Sequence, residues 1–563
     1  MKRRTLIIPT VCTIFLGTST VFASNDMTGF PTIEQKEEKK VMIPSQNPHP
    51  AFTWNSSIIP VSSILHPSSP RGAGMVEAPL QQIDQIMNQA ISEKVMPGAV
   101  TFVARGGKIV KHDAYGYAAR YTDGQFTEME NPILTQTDTI YDLASISKIF
   151  TSTAAMILFE KGLFQLDDPV AKYIPEFAAN GKDNVTIRQL MTHTSGFTAW
   201  IPLYAQGNSR EERIKQIFNQ PLKNAPGSTY EYSDLNMITL GALIEKLSGM
   251  RQDEFVKKYI TEPLGLKDTM YNPPASLKHR IAATEYQAVP NRGLVWGEVH
   301  DENAWSLDGV AGHAGVFSTA EDLAKFAHIF INDGKYGGKS ILKPETVKLM
   351  LENQNEAFPG DDHGLGWELG QGWMMDALSE GTYSFGHTGY TGTSIVVNPN
   401  NKTIAILLTN RVHPSRSTIS TNQTRRLFAR QVADSIPVSI PGKESAWFAG
   451  YGDKVNRAME ADLELKEDTK LTFETWHLIE NAWDFGNVEV KIDGKWQTLI
   501  QFTGASKGWE SKEVVLPSRA EKVRFVYKTD TSTNSRGWYV LNPTLGNGKE
   551  LSFTTNEWQL RNY

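Results

Sequence analysis

Ser145-Ile146-Ser147-Lys148, set in the run Leu143-Ala144-Ser145-Ile146-Ser147-Lys148-Ile149-Phe150, opens a mostly apolar stretch that continues through Thr151-Ser152-Thr153-Ala154-Ala155-Met156-Ile157-Leu158. The pattern predicts a helix starting here. A hydroxyl and an amine three positions apart on a helix share a face, with Cβ atoms about 5–6 Å apart. That spacing lets a lysine take a proton from a serine, which is a poor nucleophile until a neighbouring base does so. A free lysine titrates near ~10.4, so Lys148 acting as that base has to be depressed by burial or by a second cation.

Ser-x-x-Lys arises easily by chance in a chain of 563 residues, and two polar residues on a helix read the same way. It gains weight from further runs that follow in order. These are Leu190-Met191-Thr192-His193-Thr194-Ser195-Gly196, then Pro226-Gly227-Ser228-Thr229-Tyr230-Glu231-Tyr232-Ser233-Asp234. Gly315-Val316-Phe317-Ser318-Thr319-Ala320-Glu321-Asp322-Leu323 comes next, and Gly386-His387-Thr388-Gly389-Tyr390-Thr391-Gly392 leads into a strand. Together they resemble the serine β-lactamase and penicillin-binding-protein superfamily, on the class C and DD-peptidase side, over roughly residues 76–435. A sister class shares the Ser-x-x-Lys opening with different second and third motifs.

The resemblance implies an α/β fold, an antiparallel sheet flanked by helices with a helical subdomain, and an active site between them. It implies Ser145 as nucleophile, Lys148 as base, and Tyr232 as the tyrosine of the Tyr-x-Asn motif, a base and proton shuttle. A phenol of pKa about 10 can share such a network if Lys148 stabilises its phenolate. The strand of the third motif would pair with the substrate backbone. The N–H groups of Tyr390 and Ser145 would form the oxyanion hole, and Gly389 would admit the substrate closely. Such donors are worth roughly 2.7–4 kcal/mol each in the transition state. His387 stands where many β-lactamases have lysine. Near neutral pH a histidine can be charged or neutral, and so tune the network or donate to a substrate carboxylate; a structural histidine is the plainer alternative.

Two features depart from the commonest pattern. Asp234 replaces the usual asparagine, so an acceptor stands where an amide would donate; it can pair with Lys148 or take a donor from substrate. The second is Val299-His300-Asp301-Glu302-Asn303-Ala304 followed by Gly309-Val310-Ala311-Gly312-His313-Ala314-Gly315. With Thr409-Asn410-Arg411-Val412-His413-Pro414, these runs resemble a branch that includes exported N-acetylmuramoyl-L-alanine amidases and weakly active penicillin-binding proteins. His300 and Asp301 either line the cleft and bind substrate or form a pair that buttresses a loop. His300, Asp301 and His313 have metal-ligand character, but Ser-Lys-Tyr chemistry needs neither metal nor cofactor, and none is expected.

Apolar residues make up 40% and charged residues 21%, with a net charge of −6. That fits a largely globular chain and gives no reason to expect nucleic acid or an anionic membrane as partner. Lys2-Arg3-Arg4, the apolar run Leu6 to Leu16 and Val21-Phe22-Ala23 read as a secretory signal peptide over 1–23, cut after Ala23. The single cysteine, Cys12, lies inside it, so the mature chain has neither disulfide nor thiol nucleophile. No later segment is apolar enough for a stable membrane span. Residues 24–75, charge-rich and then proline-punctuated, read as a mostly disordered spacer. The hydrolase-like domain is expected over 76–438.

From 445 to 563 the period changes to two: Val488, Val490 and Ile492, then Val523, Phe525 and Tyr527. This reads as an all-β sandwich. Trp483-Asp484, Gly508-Trp509 and Arg536-Gly537-Trp538-Tyr539-Val540 resemble modules appended to immune-inhibitor-A-type secreted proteins. Most of the tryptophans are expected in the core, with glycan or wall contact as a further hypothesis.

The expectation is a secreted or wall-associated serine hydrolase acting on peptidoglycan or muropeptides through an acyl-enzyme, first as N-acetylmuramoyl-L-alanine amidase. D-alanyl-D-alanine carboxypeptidase, then esterase or β-lactamase, are alternatives in the same fold. A catalytically silent wall-binding protein is the rival of another class.

Overall fold

The structure, a computed structural model, describes residues 53–563 except 55, 57, 58 and 444. These lie in one compact unit, His49–Tyr563. The signal peptide, Cys12 and the first part of the expected spacer fall outside the described residues.

The rest of that spacer departs from expectation. Trp54 is buried, and its N–H donates to the Pro437 carbonyl at 2.8 Å. Strand β1 (His66–Pro67) pairs in parallel with the sheet described next. Its Pro67 suits an edge, where a missing N–H leaves no ladder bond unmade.

Helix α1 (Glu77–Ser92) buries Leu80, Ile83, Met87 and Ala90, as its apolar face predicts. β2 (Gly98–Arg105) and β3 (Lys108–Tyr121) form the expected hairpin, turning at Gly106 and Gly107 with φ of +58° and +86°. β4 (Glu128–Leu134) pairs with β3. Helices follow, among them α2 (Ser147–Glu160) and α3 (Asp234–Ser248). The chain then returns to the sheet with β5 (Glu368–Leu369), β6 (Phe385–Thr388), β7 (Ser394–Asn398) and β8 (Thr403–Thr409), and α4 (Asn422–Asp434) closes the domain. The sheet order is β1-β3-β2-β8-β7-β6-β5. The N- and C-terminal pieces meet where β2 pairs antiparallel with β8, Ala99 opposite Thr409 and Arg105 opposite Thr403.

Period-two alternation sends successive residues of these largely apolar strands to opposite faces. Val100, Phe102 and Ala104 of β2, with Ile404, Ile406 and Leu408 of β8, join the core that contains α2 and α3. Ala99 and Val103, with Ala405 and Leu407, face the core built on α1 and α4. Both faces are covered, so neither needs polar residues.

A β-sandwich follows. One sheet has the order Glu510–Leu516, Thr469–Leu478, Gly537–Leu545, Ala446–Phe448, Gln559–Arg561. The other runs Asn456–Asp462, Lys522–Lys528, Phe485–Ile492, Lys495–Phe502. Val488, Val490, Ile492, Val523, Phe525, Tyr527, Trp538 and Trp558 fill its core. The sandwich is also docked: Phe448, Trp476, Tyr539 and Leu541 share a core with α1, α4, Met374 and Met375. Buried Arg536 donates to the Ile436 carbonyl at 3.1 Å, at the junction between the two domains. Among the described residues no helix is long and apolar enough to cross a membrane.

Candidate active site

Ser145, the candidate nucleophile, is presented by a short strand and a tight turn. Tyr141–Asp142 pairs with Val316–Ser318. Asp142 then receives the N–H of Ala144 at 2.8 Å on one carboxylate oxygen and that of His300 at 2.7 Å on the other. Ala144 adopts φ +47°, and Ser145 sits in the 3-10 turn Ala144–Ile146 that feeds α2. Lys148 follows one turn on, 1% exposed, and its Nζ donates to Ser145 Oγ at 2.9 Å and to the His313 carbonyl at 3.2 Å.

The second motif enters from α3. Ser233 caps the helix, and its own N–H donates to His193 Nδ1 at 3.1 Å. Asp234, the first residue of the helix, places Oδ1 2.8 Å from Lys148 Nζ. The Tyr232 ring centroid lies 4.8 Å from that same nitrogen.

This geometry corrects one expectation. Lys148 is not depressed. Burial opposes its charge, but Asp234 and then Tyr232 outweigh burial and hold the ammonium above the ordinary lysine range. Tyr232 is itself pushed up to about 12, chiefly by burial, with Lys148 pulling the other way. The resting network is therefore a serine hydroxyl, an ammonium paired with Asp234, and a neutral phenol.

Around Tyr232 lie three histidines kept neutral by burial. His193 is held well below its usual range, His363 near about 4 and His387 near about 3. His193 lies tilted against the Tyr232 ring with centroids 4.5 Å apart, and His387 lies 6.1 Å away. His387 Nδ1–H donates to the Thr388 carbonyl at 2.8 Å, which leaves the neutral ring only an acceptor at Nε2. In that state the ring has no proton to offer a substrate carboxylate, and Nε2 is buried with no hydrogen-bond partner among the described residues. Glu368 of β5, its carboxyl raised to about 7 by burial against the opposing pull of Lys148 and Arg425, borders the same cleft.

The opposite wall is the β6–β7 turn. Thr391 Oγ1 donates to the Asp142 carbonyl at 2.8 Å and Thr393 Oγ1 to that of Leu143 at 3.1 Å. A Cβ on Gly389 would stand 2.3 Å from the Leu143 oxygen and 2.2 Å from Thr393 Oγ1. The glycine is thus required for packing this turn against the segment that presents Ser145. The Tyr390 side chain is 51% exposed, with Arg411 and Arg416 over its ring at 5.4 and 5.8 Å.

His300 and Asp301 border the cleft, but each is paired elsewhere, so the expected pair between them is not formed. His300 Nε2 meets Glu285 Oε2 at 2.9 Å, and its ring lies nearly parallel to Tyr390 with centroids 5.9 Å apart. Asp301 caps the helix Glu302–Ser306 and meets His313 Nε2 at 2.7 Å. Asp234, Asp301 and His313 bring ligand-type atoms within 4.8 Å of one another. Lys148 already occupies Asp234 there, a poor arrangement for a cation.

Hollows of about 560 and 460 Å³ open on the two sides of Ser145. One is lined by Glu368, Arg411, Arg416 and Arg425, the other by Trp200, Tyr204, Asp234 and Asp301. A larger hollow of about 700 Å³ near Asp253 to Pro274 holds no member of the Ser145 network.

A family model described as Beta-lactamase matches residues 83–430, more than half of the chain. The chain belongs to the beta-lactamase family. A relative described as "Putative D-alanyl-D-alanine carboxypeptidase" from Escherichia coli (strain K12) is 34% identical over 382 residues, spanning 62% of this chain and 86% of that protein. One of the same description from Salmonella agona (strain SL483) is 34% identical over 381 residues, with 62% and 87% covered. Among solved structures, EstCE1, a hydrolase with promiscuous acyltransferase activity, superposes with a TM-score of 0.51 at 22% identity, covering 63% of this chain and 99% of its own. A beta-lactamase/D-alanine carboxypeptidase from Pseudomonas syringae gives 0.50 at 20% identity, covering 63% and 98%. These two show the fold alone.

The beta-lactamase-family match ends near α4, so the sandwich lies beyond it. The chain is a serine hydrolase of the beta-lactamase-like superfamily. Sequence reasoning had flagged His193 only as part of a framework run and had missed His363, Glu368 and Arg425. None of these three sits in a motif; the fold alone brings Glu368 and Arg425 to the cleft and packs His363 against His193, with ring centroids 5.3 Å apart.

Proposed function

We propose that the protein is an exported serine hydrolase that removes the terminal residue from D-alanyl-D-alanine peptides of peptidoglycan by an acyl-enzyme route. One observation carries the reading: Lys148 Nζ bridges Ser145 Oγ at 2.9 Å and Asp234 Oδ1 at 2.8 Å in a site open on both sides of the serine. The names of the curated relatives support this substrate over the amide bond first expected from sequence.

Ser145 Oγ attacks the peptide carbonyl. Its proton passes to Lys148 Nζ as a second ammonium proton passes to Asp234 Oδ1, so the lysine stays charged. The oxyanion is held by the N–H groups of Ser145 and Tyr390. Tyr232 gives its phenol proton to the leaving amine and is reprotonated from Lys148, which recovers a proton from Asp234. Water repeats the sequence and releases the acyl group.

A second reading keeps the bond between N-acetylmuramic acid and L-alanine. Trp200, 45% exposed, stands 6.4 Å from Tyr204 on the cleft rim, a surface on which a sugar ring can stack. The sandwich would then serve as an immune-inhibitor-A-like wall-contact module, with Trp483, 63% exposed, as its aromatic contact. Digestion of defined muropeptides decides between the two. Release of D-alanine supports the carboxypeptidase, and release of a free stem peptide supports the amidase. Turnover of neither muropeptides, nitrocefin nor p-nitrophenyl acetate refutes both.

A further inference from the structure

We infer that Arg425 is the positioning residue of the oxyanion hole, fixing through its guanidinium the peptide unit whose other end is the Tyr390 N–H. The inference rests on the serine-hydrolase reading above. Arg425 projects from α4 and is 7% exposed. Its Nη2 donates to the Gly389 carbonyl at 3.1 Å and to the Thr393 carbonyl at 3.0 Å, while Nη1 donates to Asn422 Oδ1 at 2.9 Å. Its hydrogen-bond partners are thus backbone carbonyls and one amide oxygen, and a buried positive charge falls on the dipoles of a single turn.

The same turn closes on itself, with Gly389 N–H donating to the Thr393 carbonyl at 2.8 Å and Gly392 N–H to the Gly389 carbonyl at 2.9 Å. Arg425 therefore grips both ends of it. The Gly389–Tyr390 peptide is trans, so its C=O and N–H point in opposite directions. Holding the Gly389 oxygen sets the direction of the Tyr390 N–H, which has no acceptor among the described residues. A charge on the carbonyl also polarises the amide and makes its N–H a stronger donor. The Thr391 and Thr393 hydroxyls tie this turn to residues 142–143 just before Ser145. The two oxyanion donors are thereby held as one piece, with Arg425 behind it.

Arg425 also borders the cleft, so direct contact with substrate is the competing role. Arg425→Gln and Arg425→Lys separate them, assayed on p-nitrophenyl acetate and on whichever peptide the wild type cleaves. Removing an oxyanion donor costs about 10²–10³ in kcat, so misdirecting one in Arg425→Gln is expected to lower kcat about 10- to 100-fold. KM should move less than about threefold. The affinity for phenylboronic acid, whose adduct with Ser145 carries a tetrahedral oxyanion, should fall in step with kcat. Arg425→Lys should recover part of both, and it carries the same comparison if the glutamine variant fails to fold. Unchanged kcat in a folded variant overturns the inference. So does a loss confined to KM, which makes Arg425 a substrate contact, or a kcat loss with unaltered boronate affinity. An inactive wild type instead removes the serine-hydrolase reading, and this inference with it.

Discussion

Asp234 Oδ1 lies 2.8 Å from Lys148 Nζ, in a position where the related motif carries an asparagine. The substitution changes the protonation state of the whole site. An amide would leave burial free to push the lysine down, whereas the carboxylate keeps it charged.

The pH profile reports this directly. In Asp234→Asn the carboxylate that raises Lys148 is gone and burial prevails, so the lysine pKa falls. The variant then needs neutral Lys148, and its kcat/KM should climb with pH through a new acid limb. The wild type, relaying through a charged lysine, should lack that limb. Identical profiles would argue against the relay.

Ser145→Ala should lower turnover by at least about 10³-fold and abolish covalent labelling by fluorescent penicillin, with the melting temperature nearly unchanged. Tyr232→Phe should cost about 10²–10⁴-fold in kcat, the usual range for lost acid–base catalysis. Activity left unaltered in Ser145→Ala would return the silent wall-binding reading.

Gly389→Ala tests the packing of the β6–β7 turn. The new methyl has backbone on one side and Thr393 on the other, neither of which can give way without moving Ser145 or Tyr390. Overpacking of this kind costs about 1–3 kcal/mol. Urea unfolding should show that loss, and kcat should fall further than stability alone explains.

The sandwich should melt together with the hydrolase domain. Trp476 is 2% exposed at their shared core, and Trp476→Ala should cost about 3–5 kcal/mol. Calorimetry is expected to show one transition in the wild type. Removal of residues 445–563 should expose Phe428, Met374 and Met375 and destabilise the remainder, which a tethered accessory module would not do.

Glu480, Asp484 and Asp530 gather carboxylate oxygens within 4.8 Å. Burial, then neighbouring carboxylates, raises Glu480 to about 7; burial likewise raises Asp484 to about 7. A carboxyl raised on folding is protonated in the folded state while already ionised in the unfolded chain, so stability declines as pH rises from about 4 to about 7. Glu480→Gln should flatten that decline and raise the melting temperature at pH 8.

The order of elements was legible because each leaves a local pattern. The Gly106-Gly107 hairpin, the α1 face at Leu80, Ile83, Met87 and Ala90, and the alternation at Val488 to Ile492 all register at short range. The 59–75 segment was misread, because its prolines signal a break in regular structure and say nothing of whether the chain packs. Glu368 and Arg425 were illegible for another reason: each reaches the cleft from a separate element, and no spacing links them to Ser145.

The sequence by itself determined the candidate nucleophile and its neighbours, since Ser145 and Lys148 share one helical turn and Tyr232 and Asp234 flank one helix cap. Only the tertiary structure decided what state they are in. The Lys148 charge depends on a carboxylate 2.8 Å away across two helices, and the direction of the Tyr390 N–H on an arginine of a third. Electrostatic interactions act through space, over distances that chain separation does not encode.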